Sequence, residues 1–95
     1  MITIHRHRPV VIVDGRRIVL TEAEHRLLTT FGQMDNRVIP MDLLMDIVFD
    51  HPVRLPRDRE VIWLQISRLR KKIGCNWIRH RRKLGYQLTG DVSFR

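Results

Sequence analysis

A chain of 95 residues, 43% hydrophobic and 29% charged, has the composition of one small folded domain rather than a disordered tail or a membrane protein. No apolar run approaches the roughly 18–20 residues that span a bilayer, and the opening MITIHRHRPV lacks the apolar stretch of a secretory signal, so a cytoplasmic protein with no membrane partner is expected. The net charge is +8, and the lone Cys75 excludes an internal disulfide and is expected to act as a small apolar residue near a helix end.

The first elements lie in VVIVDGRRIVL, two β-branched runs joined by Asp14-Gly15. Both turn residues tolerate positive φ, so the pattern predicts a hairpin with strands near Val10–Val13 and Arg16–Val19. LTEAEHRLLTTFGQM follows. Thr21 with Glu24 three residues on is a capping box, and Leu27, Leu28, Phe31 and Met34 share one helical face. Asp35-Asn36 marks a turn. IPMDLLMDIVF reads as a second helix with Pro40 in its first turn; Met41, Leu44, Met45 and Val48 form its apolar stripe, and Asp42 and Asp46 point to water. Two prolines and no periodicity make DHPVRLPR a loop.

The third helix is predicted over Asp58–Ile73, with Asp58 as a cap, Glu60 in the first turn and Gly74 at the end. At about 100° per residue, Ile62, Ile66, Leu69 and Ile73 form the core line, and Leu64, Ser67, Arg68 and Lys71 lie opposite. The tail NWIRHRRKLGYQLTG reads as a hairpin whose apolar arms flank a basic tip.

Charge is distributed very unevenly. From Arg57 to Lys83 there are ten Lys or Arg and two acids, a surplus equal to the whole net charge, and no acid occurs between Glu60 and Asp91. A helix offering cations and one exposed Leu, beside a basic hairpin, suits a phosphate-rich groove. Helix, connection, basic amphipathic helix and basic hairpin is the plan of a winged helix, in which the second helix of the pair enters the major groove and the hairpin reaches the minor groove or backbone.

Over roughly residues 10–90, VDGRRIVLTEAEHRLLTTF, RVIPMDLLMDIVF, ISRLRKKI and LGYQL resemble the winged-helix effector domain of the OmpR/PhoB class of response regulators. The resemblance implies an α+β winged helix-turn-helix: N-terminal antiparallel strands, three helices and a C-terminal β-hairpin wing, with residues 1–95 forming a single domain. It makes Asp58–Ile73 the recognition helix and Arg68 the base-reading arginine. It sets Arg70, Lys71 and Lys72 near the DNA backbone or the helix end. It also puts Arg82 in the minor groove with His80 beside it, and makes the loop Asp50–Arg57 the segment that meets RNA polymerase.

The chain departs from the family pattern where Trp63 replaces an acid, Gln65 a histidine and Lys83 the first wing glycine, and where Arg81 takes an apolar position. The loop is slightly longer than usual. No receiver domain precedes the effector domain in this sequence, so the chain is read either as a fragment or as a stand-alone protein controlled by abundance or by a partner.

Double-stranded DNA is the expected partner, bound as a homodimer on a repeated site. Arg68 is expected to read guanine, Leu64 a thymine methyl and Gln65 an adenine edge, with Ser67 on the same face. Arg79, Arg81, Arg82 and Lys83 are expected to neutralise phosphates, one of them in the minor groove, and Thr30 with the start of the second helix to add backbone N–H contacts. Trp63 is expected to cap apolar surface at the helix edge, and Trp77 and Tyr86 to pack the wing. His5-x-His7 has no further ligands, and no catalytic motif appears, so neither metal, cofactor nor enzymatic activity is expected. The alternative is a protein-interaction module that modulates RNA polymerase or a regulator.

Overall fold

The runs VVIV and RRIV fold back on each other through Asp14-Gly15, whose φ values of 48° and 85° are both positive. That is the two-residue hairpin turn that matches the natural strand twist. In chain order the elements are β1 (Ile2–Ile4), β2 (Val10–Val13), β3 (Arg16–Val19), α1 (Glu22–Gln33), β4 (Val38–Ile39), α2 (Met41–Val48), α3 (Asp58–Ile73), β5 (Ile78–Arg81), β6 (Gly85–Leu88) and β7 (Val92–Phe94). The computed structural model describes residues 1–48 and 58–95, without the side chain of Asp58. The loop expected over Asp50–Arg57 and the capping role expected of Asp58 lie outside the described residues.

The strands form two sheets. One has the order β3-β2-β1-β7, with Val10 opposite Val19 and Ile2 opposite Val13 in antiparallel pairs. Its fourth strand comes from the end of the chain and lies parallel to β1, with Ile4 opposite Phe94, so the sheet is mixed where a purely antiparallel one was expected. Val92 and Phe94 pack against the core that Ile2, Ile4, Val11 and Val13 begin.

The capping box is formed as predicted: Glu24 N–H donates to the Thr21 hydroxyl at 3.2 Å, and Thr21 N–H donates to the Glu24 carboxylate at 2.8 Å. Leu27, Leu28 and Phe31 are fully buried along α1. In α2, Leu44 and Met45 are buried, with Met41 and Val48 packed beside them. The predicted helix start is two residues early. Ile39 belongs to β4, and Pro40 precedes the helix while its carbonyl accepts the Leu44 N–H at 3.1 Å.

The second sheet has the order β4-β6-β5. The β5–β6 hairpin is the expected wing, with Ile78 opposite Leu88 and His80 opposite Tyr86. β4 adds a third strand through the pairing of Ile39 with Tyr86. Gly85 makes this close approach possible: at φ +139° it sits where a Cβ would collide with the Ile39 carbonyl oxygen. The chain is thus a winged helix, three helices held between a mixed sheet and a wing.

Candidate nucleic-acid interface

Four side chains set the orientation of α3. Ile62, Ile66, Leu69 and Ile73 are each at most 1% exposed, the stripe predicted from spacing. Each contributes roughly 1.5–3 kcal/mol by leaving water. With that line turned inward, the 100° step distributes the remaining residues among an outer face and two flanks.

The outer face carries Glu60, Leu64, Ser67 and Lys71, with Arg68 beside them. Leu64 is 44% exposed, Arg68 and Lys71 are exposed, and Ser67 is half-buried. Among the described residues no intramolecular partner engages the Arg68 or Lys71 side chains.

The wing flank carries Arg59, Trp63 and Arg70. Arg59 joins His80, Lys83 and Leu84 of the wing and Met41 and Asp42 of α2 around a groove of about 300 Å³. Neither Arg59 nor Glu60 is among the DNA contacts expected from the sequence, although Arg59 belongs to the basic block and Glu60 is read there as a first-turn acid. Trp63 is 59% exposed and lies outside the packed cluster, so it does not cap apolar surface as expected. Arg70 is half-buried at the end of the helix, and its Nη2 donates to the Cys75 carbonyl at 3.4 Å. Cys75 itself is exposed, contrary to the apolar role expected of it; the chain has already left the helix there and turns toward the wing.

The opposite flank carries Val61, Gln65 and Lys72. Gln65 is half-buried. Lys72 reaches back to α1 and donates from Nζ to Glu24 Oε1 at 2.6 Å. Burial of Glu24 favours the neutral carboxyl, but the hydrogen bonds from Lys72 and Thr21 outweigh it and hold the group below its ordinary value of 4.5. Of the three consecutive cations at the helix end, Lys72 therefore serves the packing of α3 on α1, and Lys71 faces outward with no partner among the described residues.

In the wing, Arg79 is exposed on the face that also carries Gln87. Arg81 Nε donates to Gln87 Oε1 at 2.7 Å, which stiffens the outer side of the hairpin. His80 is on the inner face, its ring 4.8 Å from that of Tyr86. Tyr86 is buried, which pushes its phenol up, with a smaller opposing effect of the Arg70 guanidinium. Arg82 and Lys83 are exposed in the turn, Lys83 at φ +66°, and Leu84 beside them is 64% exposed. Trp77 packs against the core, so Trp77 and Tyr86 hold the wing as predicted.

A winged helix with one cationic helical face and a cationic hairpin defines a class of regulatory domain, and the comparisons give it a family. The chain matches the family described as "Transcriptional regulatory protein, C terminal" over residues 15–88, and it belongs to that family, the OmpR/PhoB class of effector domains. It is 36% identical over 74 residues to the transcriptional regulatory protein CseB of Streptomyces coelicolor, and 35% identical over 75 residues to CseB of Streptomyces avermitilis. These stretches are 78% and 79% of the chain but 31% of either relative, so the chain spans about a third of their length.

Among solved structures, the DNA-binding domain of E. coli CadC superposes with a TM-score of 0.73 at 27% identity, covering 87% of this chain and 80% of that one. The DNA-binding domain of E. coli CpxR gives 0.67 at 28% identity, with 90% and 91% covered. The DNA-binding domain of the response regulator AdeR, solved with an intercistronic region, gives 0.77 with 95% of each chain covered; at 19% identity it speaks for the fold alone. No helix among the described residues is long and apolar enough to cross a membrane.

Proposed function

We propose that this domain binds double-stranded DNA sequence-specifically and acts in transcription regulation, with α3 in the major groove and the wing, residues 77–88, on the minor groove or backbone. The observation that carries the reading is the orientation of α3. Its apolar stripe is buried, while Leu64, Arg68 and Lys71 stand outward beside a wing whose turn carries Arg82 and Lys83. Family membership and the DNA-binding relatives of the same fold support it.

In this reading Arg68 donates a bidentate pair to guanine O6 and N7, and Leu64 packs on a thymine methyl. Glu60, on the same face, is placed to accept from a cytosine amino group. Gln65 reaches a base edge only by extending past the flank on which it is half-buried. Arg79, Arg81, Arg82 and Lys83 neutralise phosphates, and Arg59 joins His80 and Lys83 where wing and helix meet. A homodimer on a repeated site, and contact of the Asp50–Arg57 loop with RNA polymerase, extend the reading on the family resemblance. A protein-docking role for α3 is less well supported, because its exposed Trp63 and Leu64 lie among cations on a convex helix.

The test is selection of bound duplexes from a random pool at about 150 mM salt, where weak attraction to the backbone is screened. Enrichment of a motif containing a guanine and a thymine, with affinity lost when that thymine is replaced by uracil, supports the reading. Recovery of the unselected pool contradicts it.

A further inference from the structure

Trp63 stands in the first half of α3 with most of its indole in water, and no hydrogen bond or ring contact engages it among the described residues. An indole removes roughly 150–250 Å² from water when it is covered, so a folded domain gains nothing by leaving one out. Half of the large apolar side chains exposed among the described residues, Trp63, Leu64 and Leu84, lie on α3 and the wing. Apolar surface gathered in one region marks a place where something docks. The charges around it select the occupant. On α3, Arg59, Arg68 and Lys71 stand against one acid, Glu60, which suits a polyanion and not the apolar groove of another protein.

Helix phase decides what the indole can reach. Leu64 points almost straight away from the buried stripe, and Trp63 lies about 90° round from that direction, on the wing flank. Arg59, one turn before it on the same flank, shares a groove with His80, Lys83 and Leu84 of the wing. With α3 in a major groove and the wing on the adjoining minor groove or backbone, one DNA strand passes this flank. The 5-methyl group of a thymine projects into the major groove on the side of its own strand, and apolar contact is how a protein reads it. A long, flat side chain on the flank can meet that methyl, and the small Ser67 one turn on leaves space beside the ring.

We propose that Trp63 is a specificity-determining residue whose indole packs on the 5-methyl group of a thymine in the strand between α3 and the wing. This thymine is distinct from the one assigned to Leu64. The inference rests on α3 occupying the major groove, and the test separates the two.

In the duplex selected from the random pool, each thymine is replaced in turn by uracil, which pairs alike and lacks only the methyl group. Affinity is then measured for the parent protein and for Trp63→Ala, Trp63→Phe and Leu64→Ala. The parent should lose about fourfold at each of two thymines, the value of one buried methyl group. Trp63→Ala should abolish the difference between thymine and uracil at one of them and keep it at the other, and Leu64→Ala should do the reverse. Trp63→Phe should retain part of the discrimination, and all three variants should melt near the parent temperature. Methyl sensitivity at every thymine that persists in Trp63→Ala, or a motif whose one sensitive thymine responds to Leu64→Ala alone, overturns the role of Trp63. In either case a guanine preference lost in Arg68→Ala leaves α3 in the major groove. Recovery of the unselected pool overturns both.

Discussion

Two neighbours in one basic run, Lys71 and Lys72, have different surroundings. Lys72 meets the buried carboxylate of Glu24 at 2.6 Å and fastens α3 to α1. Lys71, one residue and about 100° away, faces water with Leu64 and Arg68. The difference shows that a stretch of cations is sorted by the apolar stripe beneath it: charge attracts a polyanion to the whole segment, but the helix phase decides which ammonium reaches it.

The sharpest way to break the comparison is to remove the anchor. Ile66→Ala should lower unfolding stability by about 2–5 kcal/mol in a urea titration, whereas Leu64→Ala on the outer face should change it by only about 0.5 kcal/mol. A similar loss at both positions would mean that α3 is turned differently. Next, Arg68→Ala should weaken binding to the selected duplex by about 1–3 kcal/mol and flatten sequence preference while leaving the melting temperature near that of the parent.

Glu24→Ala acts on the opposite flank. It removes the capping box and the acceptor of Lys72, and should cost about 1–2 kcal/mol of stability with base preference retained. The same group gives a pH signature. Its folded value is depressed, so its contribution is fully present above 4.5 and is lost as pH falls through the folded value. The acid limb of a stability profile should therefore flatten in Glu24→Gln. The smallest effect should come from Arg82→Ala, which weakens all duplexes evenly and makes the salt dependence shallower by about one phosphate contact.

Much of this was legible from spacing. Asp14-Gly15, the Thr21–Glu24 box and the stripe Ile62, Ile66, Leu69 and Ile73 are local patterns with few physical solutions, and the structure adopts them. β4 and β7 escaped for a different reason. Two and three residues show no alternation, and both strands exist because distant segments, β6 and β1, offer unpaired edges. Within the site, spacing assigned Leu64, Ser67, Arg68 and Lys71 to one side. It had no means of assigning Lys72 to Glu24, 48 residues away, or of bringing Arg59 against the wing. Trp63 and Cys75 were judged by residue type, which favours burial, whereas their positions after turning outward decided their exposure.

The most direct test of this sorting is the salt dependence of duplex binding in two single variants. Lys71→Gln should reduce the slope of log affinity against log salt by about 0.9, one released counterion, and Lys72→Gln should leave that slope unchanged while lowering stability. Equal slopes for the two variants, or a loss confined to Lys72→Gln, would contradict the account.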